Sequence, residues 1–208
     1  MLRPMKQPVA TTEKSALGLA RRKGLLRARD LKAHGLPTVV LTRLVAAGKI
    51  HRVARGIYSL PNKQVSEHRS LAEVALRVPR GVVCLLSALR VHEIGTQAPF
   101  EVWLAMPSNL VAPRLDQPAL RIVRMSESTL TEGVERVVVD GITVPVFCAA
   151  KTVADCFKYR NKIGLDVALE ALHEGWRLKR FTMDELSRYA SINRVANVMR
   201  PYLESLTA

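Results

Sequence analysis

Acidic residues spaced two positions apart are missing from this chain. No Asp-x-Asp and no Gly-Ser phosphate loop occur among its 208 residues, so nothing is set to hold metal ions against a triphosphate. The single acid-x-Lys tripeptide, Asp30-Leu31-Lys32, lies within a basic segment instead of on a strand as a restriction-type nuclease requires. Gly-x-Ser-x-Gly, a Gly-rich phosphate cradle and His-Glu-x-x-His are also absent, and the five histidines are far apart with no ligand spacing. These absences predict no catalytic residues, no metal site and no cofactor. Cysteine is scarce: Cys84, Cys148 and Cys156 form no Cys-x-x-Cys pair, which argues against a disulfide framework or zinc site and fits a reducing cytoplasm. All three are expected in the core. The longest run without a charge, Val102 to Pro113, is twelve residues with two prolines, too short for a bilayer. The opening MLRPMKQPV has basic residues with no apolar stretch behind them, unlike a signal peptide, and no membrane partner is expected.

Acids are rarest where bases are densest. Residues 1–63 hold 14 Lys and Arg against only Glu13 and Asp30, a net of +12, whereas residues 64–208 net +2. A basic unit joined to a nearly neutral one is the electrostatic footprint of a polyanion-binding module attached to something else; a solvated face is the bland alternative. The predicted division is therefore 1–63 and 64–208.

The basic part has a recognisable plan. A first helix is expected over Thr12 to Lys23, with Ala16, Leu19 and Ala20 inward, and Gly24 ends it. Leu25-Leu26 reads as a short strand and Ala28 to His34 as a second helix closed by Gly35. Pro37 and Thr38 then suit a helix start, with Thr38 as cap and Leu41, Leu44 and Val45 as the buried stripe, while Thr38, Val39, Thr42 and Arg43 face outward. Gly48 supplies the stop, and Ile50 and Val53 pair across Arg55-Gly56 with Ile57, Tyr58 and Leu60. Three helices and a basic hairpin make a winged helix-turn-helix.

Asn62 to Ser66 reads as a linker, with Ser66 capping a helix to about Val78. Beyond an apolar run at Gly81 to Leu86, a helix capped by Ser87 is expected to Glu93. Strands follow at 100–105, 119–125, 134–139 and 142–147, the last two joined by the hairpin signal Asp140-Gly141. Helices occupy 150–159, 166–178, a segment opened by the capping box Thr182 to Glu185, and 192–206. The fold class is α+β: a winged helix followed by a mixed α/β domain, a small sheet backed by helices. Trp103 is expected in the core, and Trp176 partly exposed on a partner surface.

The order of these elements and the run GKIHRVARGIYSLP resemble the AbiEi family of abortive-infection antitoxins from bacterial type IV toxin-antitoxin systems. CLLSALRVHEIGTQ, the later hairpin, FCAAKTVADCFKYRNKIGLDVALEAL and MRPYLESL extend the resemblance over most of the chain. It implies a cytoplasmic protein whose winged helix binds inverted repeats of double-stranded DNA in its own promoter and represses the operon. It also implies a second domain opposing a nucleotidyltransferase-like toxin without forming a stable complex with it. Family C-terminal domains are often basic, and this one is nearly neutral, although Arg177, Lys179 and Arg180 make a local patch.

For DNA contact, Thr38, Thr42 and Arg43 are the candidates in the groove, with Arg43 suited to a guanine edge. Lys49, Arg52 and Arg55 are expected to meet phosphates or the minor groove from the wing, and Arg27 and Arg29 to clamp the backbone. Tyr58 is expected to pack under the wing. In the second domain Lys151, Asp155 and Arg160 are candidates for antitoxin function, Lys151 and Asp155 reading alternatively as an i, i+4 ion pair. A winged-helix regulator with a ligand-sensing or dimerising second domain and no toxin partner is the competing reading.

Overall fold

The computed structural model describes residues 9–61 and 67–207. The linker expected at Asn62–Ser66, and Ser66 as a helix cap, lie outside the described residues. Two compact units form: one runs to Arg69 and takes in Val138–Ile142, the other holds Ser70–Val137 and the chain from Thr143 onward.

In the first unit, helix α1 (Val9–Lys23) leads into strand β1 (Leu25–Arg27), α2 (Ala28–Ala33), α3 (Val39–Ala46), β2 (His51–Ala54) and β3 (Ile57–Ser59). The strands form one sheet in the order β1-β3-β2, antiparallel throughout, with Leu26 opposite Tyr58 and Arg52 opposite Tyr58 on the other side. Ala16, Leu19, Ala20, Leu26, Leu31, Leu36, Val40, Leu41, Leu44 and Ile50 close a single core, and Tyr58 packs against it half-buried. Each fully buried leucine here contributes about 1.5–3 kcal/mol relative to an exposed one.

The buried stripe of α3 differs from expectation. Val40, Leu41 and Leu44 face inward, and Val45 is 37% exposed. Residues 40, 41 and 44 share one face at 100° per residue, whereas residue 45 turns about 100° past Leu44 and leaves it. The Thr38 hydroxyl makes no capping hydrogen bond. Its backbone is already helical (φ −66°, ψ −21°), and a side chain caps from the extended region instead.

The second unit, Arg69 and the hairpin tip Val138–Ile142 apart, runs α4 (Arg69–Arg77), β4 (Val82–Val83), α5 (Leu85–Val91), β5 (Val102–Pro107), β6 (Leu120–Met125), α6 (Glu127–Thr131), β7 (Val134–Val139), β8 (Ile142–Phe147), α7 (Ala149–Lys158), α8 (Arg160–Ile163), α9 (Leu165–Arg177), α10 (Met183–Ile192) and α11 (Ala196–Thr207). Its sheet has the order β6-β5-β4-β8-β7; β4 pairs antiparallel with β5 and parallel with β8, and β5 pairs parallel with β6. Every residue of β5 is buried, Trp103 included, as suits an interior strand. The hairpin between β7 and β8 turns on Asp140 (φ 49°) and Gly141 (φ 78°), the paired left-handed backbone a two-residue turn requires. The core joins β5, β6, Phe147 and α5 to the buried faces of α7, α9 and α10; Cys84 and Cys156 lie within it and Cys148 packs against it, all as free thiols.

Two expected helix boundaries shift. α5 begins at Leu85 with Cys84 at its cap, and Ser87 lies buried inside, its Oγ accepting the Trp103 amide at 3.0 Å. The hydroxyl serves the neighbouring strand rather than its own helix. The helix expected from Ile192 is broken: α10 stops there, Arg194 adopts φ 59°, and α11 starts at Ala196. That break turns Asn193 inward. The capping box of α10 forms as expected, with the Glu185 amide donating to Thr182 Oγ1 at 3.2 Å and the Thr182 amide to Glu185 Oε2 at 2.8 Å.

Candidate nucleic-acid interface

Helix α3 owes its position to the core beneath it and its end to a glycine. The amides of Ala47, Gly48 and Lys49 donate to the carbonyls of Arg43, Val45 and Leu44, and Gly48 takes φ 64° so the chain can reverse into the wing. Its outward face carries Val39, Thr42, Arg43, Val45 and Ala46, all exposed, with Thr38 half-buried at its start. The wing follows: β2 and β3 meet at Arg55-Gly56, with a bulge between Arg52 and Ala54. The Gly56 carbonyl accepts the Ala28 amide at 3.0 Å, anchoring the tip to the start of α2.

Electrostatics divides the cations into committed and free. The two carboxylates of this segment are both engaged. Glu13 pairs with Lys49 at 3.4 Å. Asp30 accepts the Arg27 amide at 2.9 Å and pairs with the Arg27 guanidinium at 3.3 Å and the Lys23 ammonium at 3.2 Å. Burial raises the Asp30 pKa, but the Arg27 amide and guanidinium and the Lys23 ammonium together outweigh it and hold the carboxyl below its ordinary range. Arg27, expected as a phosphate clamp, is thus a half-buried structural partner of Asp30. Arg52 turns its Nε to the Ala54 carbonyl at 3.3 Å and stays exposed. Among the described residues none pairs with Arg29, Arg43 or Arg55, and all three are exposed. Lys14, Arg21, Arg22 and Lys32 are exposed as well and add to the surplus. With both carboxylates of residues 9–61 engaged, the remaining cations of that stretch stand as a surplus of positive charge.

The second unit's candidates lie elsewhere in character. Lys151 and Asp155 are buried, 0% and 1% exposed at their side chains. Lys151 Nζ donates to both Asp155 oxygens at 2.9 Å and sits 4.1 Å from the centre of the Phe147 ring. Asn193 Nδ2 donates to Asp155 Oδ1 at 2.7 Å, while Asn193 Oδ1 is buried without a partner among the described residues. Burial pushes the Asp155 pKa up, against the pull of Lys151 and Asn193. Arg160, half-buried, donates to the Phe157 carbonyl at 2.9 Å. Lys151 and Asp155 come together as the i, i+4 pair; Arg160 is not part of it. Asn193 was invisible in the sequence, because its arrival beside Asp155 depends on the break after α10. His92 donates from Nε2 to the Phe147 carbonyl at 2.7 Å, a packing role.

A cavity of about 670 Å³ opens between the end of α9 and the start of α10, walled by Trp176, Phe181 and Met183 and rimmed by Arg177, Lys179 and Arg180. Gly175 makes room for the Phe181 ring that walls it: a Cβ there would stand 2.4 Å from Phe181 Cε1. Among the described residues no group of three or more His, Cys, Asp or Glu side chains is placed to hold a metal ion, and no helix is long and apolar enough to cross a membrane.

The fold resembles that of the Rv2827c protein from Mycobacterium tuberculosis, whose crystal structure superposes with a TM-score of 0.59 over 90% of this chain and 73% of that one, at 15% identity. At that identity the likeness is one of fold. No curated protein matches the chain. Residues 18–61, from the middle of α1 through the wing, match the family described as "Transcriptional regulator, AbiEi antitoxin", a regulator family and not an enzyme class, and the match supports an antitoxin and regulator role for this chain.

Proposed function

We propose that this protein is the antitoxin of a type IV system and the repressor of its own operon, acting in the cytoplasm. Its winged helix grips inverted repeats of double-stranded promoter DNA, and its second unit opposes a nucleotidyltransferase-like toxin without a stable complex. The observation that carries the DNA half is the set of exposed, unpaired cations, Arg29, Arg43 and Arg55, in a stretch, residues 9–61, whose two carboxylates, Glu13 and Asp30, are both engaged. In the groove Thr38, Thr42 and Arg43 reach base edges; Arg29, Arg52, Arg55 and, once released from Glu13, Lys49 meet phosphates. The toxin half rests on the family match and on the resemblance of the second domain.

The test is a mobility shift on the chain's upstream promoter as salt is raised. Arg52→Ala with Arg55→Ala removes two phosphate contacts, so the slope of log affinity against log salt flattens by about two. An unchanged slope removes the wing from the interface. Rescue of growth when the protein is co-expressed with the product of the adjacent gene tests the antitoxin half.

The cavity beside Trp176 favours a second reading, a regulator whose second unit senses a small ligand, because its volume and mostly apolar walls suit one. Absence of any toxic neighbouring gene would leave that reading in place of the first.

A further inference from the structure

The outward face of α3 differs in chemistry from the surface around it. At positions 39, 42, 43 and 46, one stripe of a helix, stand valine, threonine, arginine and alanine, all exposed. The other elements of the same unit carry exposed cations: Arg29 and Lys32 on α2, Arg52 and Arg55 on the wing. Val39 is 53% exposed in the first turn of α3 while Val40 beside it is 2% exposed, so the helix had an interior position for one valine and keeps the other outside.

A surface that met only phosphates would gain from a cation at each outward position. A stripe with one cation, set in a cationic frame, matches a floor that is partly apolar and a rim that is anionic. In duplex DNA the apolar element of the major-groove floor is the C5-methyl of thymine, and the frame corresponds to the phosphates on either side. Arg43 lies one turn beyond Val39, about 6 Å along the axis, or roughly two base steps.

We infer that Val39 is a specificity residue whose side chain packs on a thymine methyl, with Arg43 reading a guanine about two base pairs away in the same half-site. This rests on the DNA-binding reading above and adds to it the base class that the helix selects. Thr42, between them, offers a hydroxyl to either neighbour.

The experiment uses the full chain. Binding sites are selected from a random duplex library at fixed salt, and each thymine of the selected site is then replaced by deoxyuridine, which removes only the methyl. One such replacement per half-site, about two base pairs from a guanine, is expected to weaken binding about four-fold, the worth of one buried methyl group. Val39→Ala is expected to lose that discrimination while keeping its affinity for unselected duplex and its salt slope. Because Val39 is exposed and alanine is the better helix former, the variant folds.

Selected sites with no thymine at constant spacing from guanine overturn the inference. So does a Val39→Ala protein that still discriminates thymine from deoxyuridine, or one whose only change is its oligomeric state, which would make the stripe a contact between copies. Failure to bind unselected duplex at low salt takes down the DNA-binding reading itself, and is told apart by that measurement.

Discussion

Replacing Asp155 with alanine strands a cation in the centre of the second unit. In the native protein Lys151 is fully buried, donates to both carboxylate oxygens at 2.9 Å and lies over the Phe147 ring, while the Asn193 amide donates to the same carboxylate. Without the carboxylate the ammonium loses both of its hydrogen bonds among the described residues, and Asn193 loses its acceptor while its own Oδ1 is already unpartnered there. Breaking a buried pair in this way costs about 3–5 kcal/mol. Trp103 and Trp176 both belong to the second unit, so tryptophan emission in urea reports its unfolding. With a slope of about 2 kcal/mol per molar, the midpoint falls by about 2 M. Replacing the pair together, Lys151→Met with Asp155→Leu, removes both charges and restores most of the loss, since apolar groups of similar volume often match a buried pair. The same double variant separates the two roles assigned to these residues. A structural pair leaves growth rescue against the toxin intact; a functional one abolishes rescue in a protein that still folds. A midpoint shift below about 0.5 M for Asp155→Ala would refute the reading of Lys151 as a buried cation that depends on this carboxylate.

Two further outcomes follow from buried polar groups in the same unit. Ser87→Ala leaves the Trp103 amide buried without its acceptor and lowers stability by about 1–3 kcal/mol in the same urea assay, where loss of a mere exposed helix cap would leave the β5 amide protected from exchange. Burial first, then the Asp155 charge, pushes the Tyr159 hydroxyl up to about 12 from an ordinary value of 10.0. The folded state therefore keeps that proton longer than the unfolded chain does, and stability is full below pH 10 and falls as the pH rises from there towards 12. Tyr159→Phe makes the alkaline fall shallower; an identical fall in both proteins contradicts the assignment.

Legibility in the sequence varied with how local each determinant is. The wing could be read because Arg55-Gly56 and the alternation around it are neighbours in the chain, and the Asp140-Gly141 hairpin and the Thr182–Glu185 box could be read for the same reason. The phase of α3 was missed by one position, since Val40 and Val45 are equally apolar and only the packing beneath decides which is buried. Ser87 had the chemistry of a cap, and the register of β5 took it instead. Short helices α6 and α8 carry too few residues for a periodic signal. At the candidate interface, exposure of Thr42, Arg43, Arg52 and Arg55 agrees with the reading of the residues, while Arg27 is taken by Asp30, three residues on, in a local box at the start of α2, and Lys23 joins that carboxylate only in the fold. Spacing alone identified Lys151 and Asp155 as partners, but nothing in the sequence revealed that no solvent reaches them.

Tyr58, half-buried under the wing, is the sole aromatic residue in the chain up to Arg69. Proteins that hold unpaired bases do so by laying them on exposed aromatic rings, and this unit has no such platform. Whatever grip it has depends on two strands being wound together, because only then do a groove floor and two phosphate rails exist at a fixed separation. If the chain grips promoter duplex as proposed, melting the site releases it without any competitor or signal, and an opened promoter is not recaptured until it closes.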